Sequence, residues 1–289
     1  MPVISSATAL VGVLGDPIRH SLSPLMHNAA LAAMGLDWVY LALPVRHSDL
    51  ARALQGLEAI DCRGLNVTLP HKPEAHRLAR RHSTLSSRLG AANTLLRLPE
   101  GGWRSENTDV EGFMAPLSEA GGDWRGQAAV VLGCGGSARA VVAGLHTLGC
   151  DPIVVVGRRA EALAAFVSDC SGWCPALRSH PRDQPLQPLL EQSRLVVNTT
   201  PAGMGGQAGP DCPLDDGELD ALAVDVTVYD LIYTPRPTRL LHQARARGCR
   251  TLDGLEMLVQ QGAASLRLWT GADSVPVETM RRAALAALA

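Results

Sequence analysis

A glycine-rich turn, Gly133-Cys134-Gly135-Gly136-Ser137-Ala138, lies between the apolar run Ala128 to Leu132 and a helical pattern from Ser137 to Leu148. A Gly-x-Gly-x-x-small turn in that setting leaves few folds open. Small residues let a strand pass sharply into a helix. They also let the backbone approach a pyrophosphate, which is attracted by the free N–H groups and dipole of the helix N-terminus. Pro152 to Val156 and Ala160 to Ser168 continue as strand and helix, which makes a β-α-β-α run of the mononucleotide-binding type.

The rest of the chain alternates in the same way, so the expected class is α/β, with parallel sheets covered by helices. Leu10 to Leu14, Trp38 to Leu43 and Leu65 to Leu69 read as strands. Ser23-Pro24 reads as an N-cap with proline at the first helical position, and Ser48-Asp49 opens a helix with Leu50, Leu54 and Leu57 on one face. Ser171 to Pro188 and Gly203 to Gly217, rich in proline and glycine, read as surface loops with little core. Helical patterns at Leu255 to Trp269 and Val277 to Leu288 close the chain. These features predict an N-terminal α/β substrate domain over 1–108, a Rossmann-type nucleotide-binding domain over 109–253, and C-terminal helices over 254–289 returning to the first domain.

The second strand of the nucleotide unit decides which dinucleotide fits. An NAD-selective site places Asp or Glu there for the ribose 2'-hydroxyl. Here the strand ends in Gly157-Arg158-Arg159. Two guanidinium groups suit a 2'-phosphate, so NADP is the expected cofactor.

Charge and cysteine usage exclude other classes of partner. A net charge of -2 offers no field for nucleic acid or an anionic membrane, so a small-molecule ligand is expected. The seven scattered cysteines form no C-x-x-C or metal spacing, which predicts no metal and free thiols in a reducing cytoplasm. The opening Met1-Pro2-Val3-Ile4 has no export pattern, and no apolar run suits a membrane span.

The first domain carries polar residues at or just after predicted strand ends: Ser21-Leu22-Ser23-Pro24, Asn66-Val67-Thr68-Leu69-Pro70-His71-Lys72, Ala92-Asn93-Thr94 and Asn107-Thr108-Asp109. Their hydroxyls, amides, ammonium and carboxylate suit a small ligand with several hydroxyls and a carboxylate, since each buried polar group needs a partner. Of the 26 basic residues, all but Lys72 are arginine. A lysine kept amid arginines points to a position where guanidinium cannot serve.

These segments, together with Gly15 to Pro24, Asn198 to Met204 and Gly254 to Gln261, resemble the motifs of the shikimate dehydrogenase family. They stand in the family's order over nearly the whole chain, and Asn-Val-Thr-x-Pro-His-Lys with Asn-Thr-Asp is a specific combination. The resemblance implies reversible NADPH-dependent reduction of 3-dehydroshikimate to shikimate, with Lys72 and Asp109 as the acid/base pair. It implies that Ser21 and Ser23 hold the substrate carboxylate and that Thr68, Asn93 and Gln261 hold ring hydroxyls, with Asn66 and Tyr233 in the same pocket. It further implies Gly133, Gly135, Gly136, Ser137 and Ala138 at the pyrophosphate, Arg158 at the 2'-phosphate with Arg159 beside it, and Met257 near the nicotinamide. The family usually has Asn-Arg-Thr where this chain has Gly157-Arg158-Arg159, with a further basic residue about four positions on, so here the second cation is adjacent.

Two other readings share the motifs: a quinate/shikimate dehydrogenase of broader specificity that often uses NAD, and a non-catalytic metabolite sensor. Arg158 and Arg159 argue against the first. Retention of both Lys72 and Asp109 argues against the second. Monomer and homodimer both remain open.

Overall fold

The computed structural model describes residues 4–119, 121–204 and 211–288. The start of the chain, residues 1–3, and residues 205–210 of the segment Gly203 to Gly217 lie outside these. The chain divides into two compact units, Met1–Gly112 with Leu258–Ala289, and Phe113–Met257. Each crossing between units falls inside a helix, a few residues beyond the helix start.

The first unit begins with β1 (Ala9–Gly15), α1 (Ser23–Ala33), β2 (Trp38–Pro44), α2 (Leu50–Ala59) and β3 (Gly64–Val67). There follow α3 (Lys72–Leu78), β4 (Arg81–His82), α4 (Thr84–Leu89), β5 (Thr94–Arg97), β6 (Trp103–Glu106) and the start of α5 (Asp109–Glu119). The strand order is β2-β1-β3-β5-β6-β4. The sheet is not wholly parallel as expected: β5 runs antiparallel to both β3 and β6. The cause is a tight β5–β6 hairpin closed through Gly101 and Gly102, both at positive φ that glycine adopts without strain.

Leu14, Leu50, Leu54, Leu65, Val67 and Leu95 form the core beneath this sheet. Gly64 has no side chain because a Cβ there would come within 2.2 Å of Trp269 Nε1, the indole that donates to Leu95 O at 3.1 Å. Two helix starts differ from expectation. Leu22, not Ser23, is the N-cap of α1, so the capping position has no side chain able to bond the first turn. A short 3-10 turn at His47–Asp49 precedes α2. The edge strand β2 is tied to α1 by one side chain: Asn28 donates to Tyr40 O at 2.9 Å and accepts from Tyr40 N at 2.9 Å.

The second unit contains β7 (Ala129–Leu132), α6 (Gly136–Thr147), β8 (Ile153–Gly157), α7 (Ala160–Ser171), β9 (Leu177–Pro181), α8 (Gln187–Gln192) and β10 (Leu195–Asn198). It continues with α9 (Asp216–Asp220), β11 (Thr227–Asp230), α10 (Arg239–Ala246), β12 (Arg250–Leu252) and the first turn of α11 (Gly254–Thr270). The order β12-β11-β10-β7-β8-β9 is parallel throughout and reverses direction between β7 and β10, as in doubly wound sheets. Ala129, Val131, Ile153 and Val155 pack on one face and Val130, Leu132, Val154 and Val156 on the other, which is why these strands read as unbroken apolar runs.

Ser171 to Pro188 is not a coreless loop. It holds β9, and Cys174, Leu177 and Leu186 are buried. Cys212 and Leu214 are likewise buried within Gly203 to Gly217. Prolines obscure periodicity there without excluding the apolar residues between them from the core. The remainder of α11 and α12 (Val277–Ala286) belongs to the first unit, where α12 packs on α1. No helix among the described residues is long and apolar enough to cross a membrane.

Candidate active site

Lys72 opens α3 just beyond the end of β3, and Asp109 opens α5 just beyond β6. Lys72 Nζ donates to Asp109 Oδ2 at 2.6 Å, with the side chains 13% and 10% exposed. Both approaches are fixed by backbone bonds. Thr68 N donates to Leu14 O, His71 N to Thr68 O, and Ala92 N to Lys72 O. The buried His71 ring bonds Val45 O through Nε2 at 2.7 Å, and a carbonyl can only accept, so that nitrogen carries the proton. Asp109 N donates to Asn107 Oδ1 at 3.1 Å, which starts α5 from its own sequence neighbour.

Asn93 joins this pair to the C-terminal helix. Its Nδ2 lies 2.9 Å from Asp109 Oδ1, 2.9 Å from Thr108 Oγ1 and 3.2 Å from Gln261 Oε1, while its Oδ1 accepts from Thr108 N at 2.7 Å. Asn66 Nδ2 donates to Ser265 Oγ at 2.8 Å, to Thr94 Oγ1 at 3.2 Å and to Asn93 O at 3.2 Å. Ser265 Oγ also meets Thr94 Oγ1 at 2.8 Å and donates to Gln261 O at 3.0 Å. Lys72, Asp109, Asn93, Asn66 and Gln261 therefore share one hydrogen-bonded network. Such groups carry a high cost when unpartnered in a low dielectric, so they hold each other's orientation.

The other expected residues are placed as follows. Ser23 is buried and Ser21 half-buried at the start of α1, with Ser23 N donating to Ser21 Oγ at 3.2 Å. Thr68 is half-buried in the turn before Lys72. Tyr233 lies in the second unit after β11, where burial raises its phenol pKa. Met257 packs against the second unit's core. Four network members are given no individual role by sequence: Tyr40, Thr94, Thr108 and Ser265, of which only the two threonines fall in quoted segments. Thr94 and Thr108 adjoin chosen residues, and Ser265 stands four residues after Gln261 on the same face of α11. Tyr40 lies in an apolar strand and carries no such signal.

In the second unit the glycine turn is shaped for close approach. Gly133 adopts φ +105°, and a Cβ there would meet Thr199 Oγ1 at 2.7 Å. A Cβ on Gly135 or Gly136 would meet nothing within 4 Å, and no side chain caps α6. Gly135 and Gly136 are exposed at the N-terminus of α6, with Ser137 half-buried beside them and Ala138 packed into the core, an arrangement whose first-turn N–H groups fit an anion. Arg158 and Arg159 are exposed after β8 and have no side-chain partner among the described residues. This set fits a phosphorylated dinucleotide. Below it, Asp230 accepts from Thr238 Oγ1 at 2.7 Å and Asn198 Nδ2 at 2.9 Å, and burial raises its pKa to about 6.

Family models match two stretches: a shikimate dehydrogenase substrate binding domain over residues 13–95 and a shikimate 5'-dehydrogenase C-terminal domain over residues 254–285. The chain is 47% identical over 288 residues to shikimate dehydrogenase (NADP(+)) of Synechocystis, covering 99% of this chain and 98% of that one. It is similar to the crystal structure of shikimate 5-dehydrogenase from Thermus thermophilus in complex with NADP(H) and shikimate, with TM-score 0.84, 34% identity and coverage of 97% and 100%. Quinate dehydrogenase from Corynebacterium glutamicum in complex with NAD is also similar, with TM-score 0.88, 30% identity and coverage of 96% and 99%.

Proposed function

The chain belongs to the shikimate dehydrogenase family, and on that basis we propose that it catalyses the reversible NADPH-dependent reduction of 3-dehydroshikimate to shikimate on the route to chorismate and the aromatic amino acids. The observation that carries the reading is the Lys72–Asp109 pair joined through Asn93 to Gln261.

When bound, NADPH supplies hydride to the C3 carbonyl carbon. Lys72 Nζ, an ammonium held by Asp109, hydrogen-bonds the ketone oxygen and delivers the proton that the developing alkoxide takes up. In the oxidative direction the same nitrogen receives that proton. Asp109 orients Lys72 through Oδ2 and shares the substrate hydroxyl. Ser21 and Ser23 hold the carboxylate, and Thr68, Asn66, Asn93 and Gln261 hold ring hydroxyls. Support comes from the chemistry of the set: it offers donors and acceptors for each group of a hydroxylated cyclic acid and only one ammonium.

Gly133, Gly135, Gly136, Ser137 and Ala138 hold the pyrophosphate and Arg158 with Arg159 the 2'-phosphate. Met257 serves the nicotinamide. A reducing cytoplasm suits the chain, whose seven cysteines are all free thiols. A fold alone does not separate shikimate from quinate or NADP from NAD, so the test is a spectrophotometric assay of shikimate and quinate with NADP and NAD in all four pairings. The expected result is highest kcat/KM for shikimate with NADP. Preference for quinate with NAD, or no turnover in any pairing, would overturn the reading.

A further inference from the structure

Tyr40 is the third of the seven residues of β2, with its ring buried and its hydroxyl 2.8 Å from Asn66 Oδ1. The direction of that bond is set by neighbouring atoms. Asn66 Nδ2 faces Asn93 O, which can only accept, so the amide nitrogen must lie on that side and the oxygen must face Tyr40. The phenol is therefore the donor. Burial raises the Tyr40 pKa well above its usual value, so the proton stays on the oxygen.

Tyr40 is held at its ring and at its backbone, and α11 packs closely on the histidine that covers it. The His27 ring stacks on Tyr40 with centroids 4.2 Å apart and planes 1° from parallel. Asn28 occupies both backbone groups of Tyr40 and also donates to Pro24 O at 2.8 Å, so the serine-bearing start of α1 and β2 are held by one amide. Gly262 follows Gln261 on α11, and a Cβ there would lie 3.1 Å from His27 Nε2, so glycine lets this helix approach closely.

We infer that Tyr40 is a positioning residue: its hydroxyl satisfies the buried Asn66 Oδ1 from the side opposite Asn93 O, and so fixes where the amide sits and how Nδ2 is presented to the Ser265, Thr94 and Asn93 cluster and to substrate. Without the phenol, Asn66 Oδ1 is buried with no donor, and because Asn93 O opposes a turned-over amide, the side chain can relieve the unpaired oxygen only by shifting, which displaces Nδ2 from the ring hydroxyls. The inference rests on the proposed substrate, since Asn66 serves that ligand.

Tyr40→Phe keeps the ring stacked on His27 and removes only the hydroxyl. The expected result is a KM for shikimate raised about tenfold, kcat lowered less than about threefold, and an unchanged KM for NADP. A general loosening of the fold would not produce that split. In an Asn66→Ala background, Tyr40→Phe should raise the shikimate KM less than about threefold, because the amide it positions is gone. Where turnover of that background is too slow to read, the same cycle is measured as shikimate dissociation constants by calorimetry. A shikimate KM within twofold of wild type in Tyr40→Phe, or an undiminished tenfold effect on the Asn66→Ala background, would overturn the inference. Wild-type turnover is read alongside, so failure of the family function and failure of the Tyr40 role register in different measurements.

Discussion

Asn93 donates its amide to Asp109 Oδ1 at 2.9 Å, on the oxygen that Lys72 does not use. The carboxylate is thus held from two sides and cannot rotate to follow the ammonium. Lys72 is the partner with room to turn toward substrate, on a flexible four-carbon stem.

Lys72→Arg tests whether that stem and its proton matter more than its charge. Guanidinium stays protonated at any working pH and is planar, so turnover should fall by ~10² to 10⁴ while the shikimate KM changes far less. Steady-state assays decide it. A Lys72→Arg enzyme that keeps more than about a tenth of wild-type kcat rules out proton transfer by this residue.

Arg158 and Arg159 have no protein partner to lose among the described residues, so replacing both with alanine should spare stability and act on cofactor choice. The KM for NADP should rise about tenfold or more, with NAD kinetics unchanged and the thermal midpoint within about a degree. Equal losses with both cofactors would show that the pair reads something other than the 2'-phosphate.

Ser265 touches Asn66, Thr94, Thr108 and the Gln261 carbonyl from a fully buried position. Ser265→Ala should cost about 1 to 3 kcal/mol of unfolding free energy in urea, because it strips a shared partner from buried polar groups. It should also raise the shikimate KM. Unfolding indistinguishable from wild type would mean that the neighbours re-pair without it.

His27 gives the protein a specific weakness to acid. Its pKa is lowered to about 3 by burial, and both ring nitrogens lack hydrogen-bond partners among the described residues. Between about pH 6.5 and 3 the unfolded chain binds a proton there that the folded chain refuses, so stability is lost as pH falls, by up to about 1.4 kcal/mol per unit. Asp230, raised to about 6, works in the opposite sense but is present in both proteins compared. His27→Phe should lose stability less steeply than wild type from pH 6 to 4 in denaturant titrations. Parallel curves would show that the histidine takes up its proton without unfolding.

Sequence carries the motifs whose residues must be of one type at one spacing. Gly133 to Ala138 and Asn66 to Lys72 are legible because a close backbone approach or a buried charge tolerates little else. Tyr40 and Ser265 are not legible because a tyrosine in a strand and a serine in a helix are ordinary until the sheet and α11 bring them to Asn66. The β5–β6 hairpin escapes for another reason. Its strands are four residues each, too short for period to distinguish direction, and only the glycine pair between them marks the turn.

The Asn28 amide has a consequence for self-association. A seven-residue uncharged edge strand such as β2 offers a template on which another chain can add by backbone pairing. At Tyr40, its third residue, the N–H and C=O are already taken by the protein's own side chain. A foreign strand arriving there would have to break both bonds before gaining any. The amide thus works as a stopper in the sheet's open margin and guards the enzyme against the sticking that an unblocked margin of this composition invites.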